Sequence, residues 1–139
     1  VAFCQGNLHQ IGLALQLYVD DNKNIMPAME DFNKNLPAIK QRTINVVLAP
    51  QLGSTNVLCC PSDNHQIFQK TASSYSWNNL VNGQNADQLH VLNLTLAMTK
   101  IPLVFDKQNF HAVLGTNRAV NYLYADGHVK NLLILAGTQ

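Results

Sequence analysis

The sequence predicts an α+β domain, because one amphipathic helix leads the chain, short runs bounded by turn residues follow it, and the last two of those runs alternate as a hairpin does. The helix is carried by Cys4, Leu8, Ile11, Leu15 and Tyr18, apolar residues spaced by four, three, four and three. Such spacing lines one face of a helix. Gln5, Asn7, His9, Gln16 and Asp20 lie off the stripe. The polar cluster "DDNKN" and then Pro27 end the pattern, so the helix is expected over about residues 1–22. No Ser, Thr, Asp or Asn precedes Val1 to cap it, which reads as a helix continuing upstream.

After the helix, about residues 25–53 read as loop and short helix. Pro27 and Pro37 interrupt the first part, and "TINVVLAPQLGS" gives a short helix ended by Pro50 and Gly53. A sheet region is expected over about residues 56–136. Val57–Cys59 reads as a short strand. "CPSDNH" must turn, since Pro61 fixes its own backbone and Ser62, Asp63 and Asn64 favour turns through side-chain hydrogen bonds. "SSYSWN" alternates as a strand, "NNLVNGQNADQ" is polar loop, and "LHVLNLTLAMTK" fits a short helix and an extended segment equally well. "IPLVFD" is a buried strand with Pro102 near its start. "RAVNYLYADGHVKNLLIL" is a hairpin, with Ala125, Asp126 and Gly127 suited to a turn that needs positive backbone angles.

The 139 residues are one domain's worth. Nine basic and eight acidic residues leave a net charge of +1, and charged residues make up only 12%, about half the usual share. A surface so weakly charged offers no footprint for nucleic acid or an anionic membrane. The sequence holds no apolar run of about 18 residues, so neither a membrane span nor a secretory signal is read in it. Because it begins at Val1, a further segment is expected upstream.

Cys4, Cys59 and Cys60 do not match a zinc-finger spacing. Three cysteines allow one disulfide and one free thiol. Adjacent cysteines rarely bridge each other, so Cys4 would pair with Cys59 or with Cys60. Asp106, His111, Asp126 and His128 would suit zinc or manganese if the "PLVFD" strand lies beside the last hairpin. The structural reading, in which Asp126 and Gly127 shape the turn and His128 does no chemistry, is preferred. His9 and His65 stand in polar surroundings as surface residues. Tyr75, Trp77, Tyr122 and Tyr124 would suit a sugar-binding platform, although alternating aromatics commonly pack a sheet. Cys59 with a histidine is a further nucleophile candidate. The usual hydrolase, P-loop, zincin and dinucleotide signatures do not occur, so no catalytic residue and no cofactor is assigned.

Four segments in order, "CQGNLHQIGLALQLYVDDN", "CCPSD", "SYSWN" and "AVNYLYADGHVKNL", resemble type IV pilin-like proteins related to the type II secretion pseudopilins. They are most similar to the pilin-like group of planctomycetes and verrucomicrobia. That resemblance implies a pilin-like fold, a long N-terminal helix on a small antiparallel sheet, and a structural role without catalysis. Partners would be other pilin or pseudopilin subunits. An upstream apolar segment, about 20 residues long in such proteins, would engage the inner membrane and a prepilin peptidase and place this domain in the cell envelope. The family's C-P-S-D cysteine is Cys60, which implies a Cys4–Cys60 disulfide. No acidic cluster matches the calcium loop of the major secretion pseudopilin, and His111 is followed by "AVLGTN" in place of a glycine-rich stretch.

Overall fold

A computed structural model describes residues 2–92, 94–108, 110–111 and 119–131. Helix α1 spans Ala2–Asp21. Cys4, Leu8, Ile11 and Leu15 are buried as the spacing requires, but the last buried position is Val19, with Tyr18 at the flank of the stripe. At 3.6 residues per turn both positions lie beside Leu15, and the one four residues on reaches the core. The helix stops as "DDNKN" demands. Asn24 N–H donates to Val19 O at 2.9 Å, and Lys23 and Asn24 take left-handed angles, a bond pattern that satisfies otherwise orphaned carbonyls at a helix end.

The opposite side of α1 is mixed: beside exposed His9, Gln10, Gln16 and Asp20 it carries exposed apolar side chains. Phe3, Leu13 and Leu17 are 80%, 68% and 52% exposed. With Gly6 and Gln10 between them they form a second stripe, which the single-stripe reading of the sequence did not anticipate.

Short elements follow. Helices α2 (Ile44–Val47) and α3 (Ala49–Leu52) meet at Leu48, and Gly53 at φ +73° ends the second. Residues 57–59, expected as a strand, instead belong largely to a 3-10 turn over Thr55–Leu58, begun by Ser54, whose hydroxyl accepts Asn56 N–H. A local side-chain bond of this kind competes with extension. Helix α4 (Ile67–Thr71) follows the C-P-S-D turn.

Strands β1 (Tyr75–Trp77), β4 (Pro102–Asp106), β5 (Tyr122–Tyr124) and β6 (Val129–Lys130) form one antiparallel sheet in the order β1-β4-β5-β6. Between β1 and β4 a separate hairpin joins β2 (His90–Val91) to β3 (Leu94–Thr95), so the ambiguous segment is extended at those positions and ends in a 3-10 turn over Met98–Lys100. The fold class is α+β. Register places Trp77 opposite Val104 and Val104 opposite Leu123, a row facing α1. At Gly12 the helix comes close: a Cβ there would lie 3.2 Å from Leu123 Cδ1.

The β5–β6 connection is the expected tight turn. Gly127 N–H donates to Tyr124 O and Tyr124 N–H to His128 O, both at 2.9 Å. Gly127 sits at φ +92° with open space around it, so Gly127→Val should cost about 1–3 kcal/mol through backbone strain alone. His128→Ala should cost about 1 kcal/mol, the scale of one ring contact, because His128 stacks on Tyr124 with centroids 4.5 Å apart. Urea titration of both variants checks the contrast. The last part of the expected hairpin, residues 132–136, lies outside the described residues.

Candidate functional site: a buried helix–sheet junction

The four segments that carry the family resemblance meet in one place. Cys4 on α1 and Cys60 in the C-P-S-D turn form a disulfide with Cα atoms 5.1 Å apart, and both are buried. One helical turn later, Asn7 Nδ2 donates to Cys59 O at 2.9 Å and to Tyr75 OH at 3.2 Å. Gln5 Nε2 donates to Asn121 Oδ1 at 3.2 Å. Gln5 and Asn7 were expected to face away from the buried stripe. They instead flank it and supply the polar half of the contact.

The C-P-S-D turn is tied down in the same region. Cys60 N–H donates to Ser74 Oγ at 3.0 Å, and the Ser74 hydroxyl donates to Asp63 Oδ2 at 2.8 Å. Asp63 also accepts the N–H groups of Ile67 and Phe68 at the start of α4. Burial by itself would raise its carboxyl, but these hydrogen bonds outweigh burial and hold it below the ordinary value. Asp63 thus caps a helix and orients Ser74, which in turn fixes the backbone of Cys60.

Asp106 and His111 close the junction on the sheet side. Asp106 Oδ2 accepts Asn121 N–H at 2.8 Å and lies 3.5 Å from His111 Nε2. His111 Nε2 in turn is 3.8 Å from Cys60 Sγ. Burial pushes the Asp106 carboxyl up to about 7 and pulls the His111 imidazole below its usual value. Near pH 7 His111 is therefore largely neutral while Asp106 is close to half protonated, and no strong ion pair joins them.

These shifts have opposite signs in stability. Asp106, raised in the fold from about 3.9, contributes stability fully present below about pH 4 and lost as pH rises through about 7. His111, lowered in the fold, loses stability as pH falls below about 6.5. Asp106→Asn should remove the first dependence. The wild-type advantage over this variant should shrink by about 3–4 kcal/mol between about pH 4 and pH 7.5, as read from urea midpoints.

Asp126 and His128 are elsewhere. Asp126 Oδ1 accepts the backbone N–H of His128 at 3.1 Å and also its ring Nδ1–H. Pro102 pairs with Tyr124, while Asp106 N–H reaches Asn121 O. The Asp126–His128 and Asp106–His111 pairs therefore occupy opposite ends of the β4–β5 ladder, about 14 Å apart at ~3.4 Å per residue. The four-residue metal group considered from sequence does not assemble.

The proposed aromatic platform does not form either. Tyr75 and Trp77 are buried toward the helix, and Tyr124 is fully buried. Tyr122 lies on the other face beside Phe105, with centroids 5.9 Å apart. Cys59 is partly exposed, and burial followed by the Asp63 charge raises its thiol pKa. A thiol kept protonated in this way is a poor nucleophile. His9 and His65 are exposed, as expected.

Two features escaped the sequence reading. One is His111 beside Cys60, with the Cys4, Cys60 and His111 donor atoms all within 4.8 Å of one another; 51 residues separate His111 from Cys60, and no local motif joins them. The other is a cleft of about 390 Å³ between the second half of α1 and the hairpin turn, lined by Leu15, Val19, Met26, Leu123, Asp87 and Asp126 among others. No protein-family model, curated protein or solved structure matches the chain.

Proposed function

We propose that this chain is the globular part of a pilin-like or pseudopilin structural subunit, working in the cell envelope by assembly with other such subunits. One observation carries the reading: α1 is fastened along one side and bare along the other. On the fastened side the motif residues Cys4, Asn7, Cys60, Ser74, Tyr75 and Asn121 are all used in joining helix to sheet. On the bare side Phe3, Leu13 and Leu17 present an apolar stripe to solvent. An exposed apolar helix face on a low-charge surface suits burial against neighbouring subunits. Each apolar Å² removed from water there contributes about 25 cal/mol.

The reading is tested with the full-length protein in its own cells, carrying Leu13→Glu and Leu17→Glu together. Both side chains project away from the core, so the thermal midpoint should stay close to wild type. Incorporation into filaments or pseudopilus cross-links should fall severalfold or more. Unchanged incorporation with the stripe charged would remove the observation on which the proposal stands.

A further inference from the structure

We propose that the Cys4–Cys60 pair, when reduced, forms a zinc site with His111 and Asp106. The four side chains come from three separate regions of the sequence and converge in the junction, where Cys4, Cys60, His111 and Asp106 are 0%, 1%, 2% and 3% exposed. Their spacing is the main argument. A tetrahedral zinc ion with Zn–S near 2.3 Å and Zn–N or Zn–O near 2.1 Å holds a sulfur and a nitrogen ligand about 3.6 Å apart, and a nitrogen and an oxygen ligand about 3.4 Å apart. Cys60 Sγ and His111 Nε2 are 3.8 Å apart, and His111 Nε2 and Asp106 Oδ2 are 3.5 Å apart.

The donors also have capacity to spare. The Cys4, Cys60 and His111 donor atoms all lie within 4.8 Å of one another, whereas Asp106 touches only the imidazole nitrogen of that group and would have to turn toward the ion as it binds. Asp106 Oδ1 is buried without a hydrogen-bond partner among the described residues, an uncompensated acceptor that a cation would satisfy. Two thiolates, an imidazole and a carboxylate are a ligand set that zinc accepts.

The switch balances as follows. A dithiol reductant gives two electrons and two protons to the S–S bond and ends as its own disulfide. The two thiols then release their protons as zinc binds, and their sulfurs separate to about 3.8 Å across the ion. Oxidation by a disulfide-bearing protein reverses both steps and expels the metal. The junction would thus be closed by metal before oxidation and by the disulfide afterwards.

The test uses the 139-residue chain, reduced with a phosphine, freed of reductant without oxygen, and titrated with Co²⁺ and Zn²⁺ alone. One equivalent of Co²⁺ should bind with the absorption of a tetrahedral thiolate site, and Zn²⁺ should displace it. Oxidised protein should bind none. His111→Ala should weaken binding by at least about 100-fold, beyond the roughly 10–100-fold cost of losing an outer-shell partner. Cys59→Ser should leave the affinity unchanged. If reduction unfolds the chain, one equivalent of Zn²⁺ should restore its circular dichroism in wild type and not in His111→Ala. The proposal fails if the folded reduced protein binds no metal, if zinc does not rescue an unfolded one, or if binding needs Cys59 and ignores His111.

Discussion

Replacing Cys4 or Cys60 by serine is expected to destabilise the domain by about 4 kcal/mol. The bridge spans 56 residues, and the chain-entropy cost of such a loop in the unfolded state gives about 4 kcal/mol at room temperature. The native side adds to it, because each sulfur left behind would sit in a junction where both cysteines are fully buried. Cys59→Ser should stay within about 0.5 kcal/mol, the scale of a surface change, since Cys59 is partly exposed and outside the bridge. Urea unfolding of the three variants measures this directly. A loss at Cys59 equal to that at Cys60 would mean that the two sulfurs exchange the bridge.

Tyr75→Ala should cost about 3–5 kcal/mol, the range for removing a large aromatic from a packed core. Tyr75 is fully buried, sits opposite Asp106 in the β1–β4 register, and accepts a hydrogen bond from Asn7 Nδ2 on its hydroxyl oxygen. Tyr75→Phe should cost only about 1 kcal/mol. Asn7 keeps Cys59 O as an acceptor in that variant, so removing the hydroxyl leaves no donor stranded. The ratio of the two losses separates packing from hydrogen bonding at the junction. Equal losses would show that the hydroxyl, and not the ring, holds helix and sheet together.

What the sequence disclosed was local. The helix end follows from "DDNKN", the tight turn from Asp126 and Gly127, and β4 from an uninterrupted apolar run, because each depends on neighbours within a few residues. Val57–Cys59 misled because three apolar residues carry no period, and the Ser54 side chain settles that backbone instead. The β2–β3 turn was illegible for another reason. Leu92 takes a left-handed φ of 51°, which nothing in a leucine announces.

The candidate site failed and succeeded at long range. Asp106, His111, Asp126 and His128 look like one cluster in a list of residues. Only the pairing of Pro102 with Tyr124 reveals that a strand's length divides them into two pairs. Asn7 lies one step from the apolar stripe, and its burial depends on Cys59 and Tyr75, more than 50 residues away. Each of the four motif segments supplies a residue to the junction: Asn7, Cys60, Tyr75 and Asn121.

The assembly account is tested most directly at the N-terminus of the mature protein, isolated from the envelope of its own cells and measured by mass spectrometry. The account predicts a processed chain that begins upstream of Val1 with a methylated residue, continues through an apolar segment into α1, and co-purifies with filaments or the inner membrane. A protein recovered free of membrane and filament, with an unprocessed N-terminus or a secretory cleavage close to Val1, would contradict it.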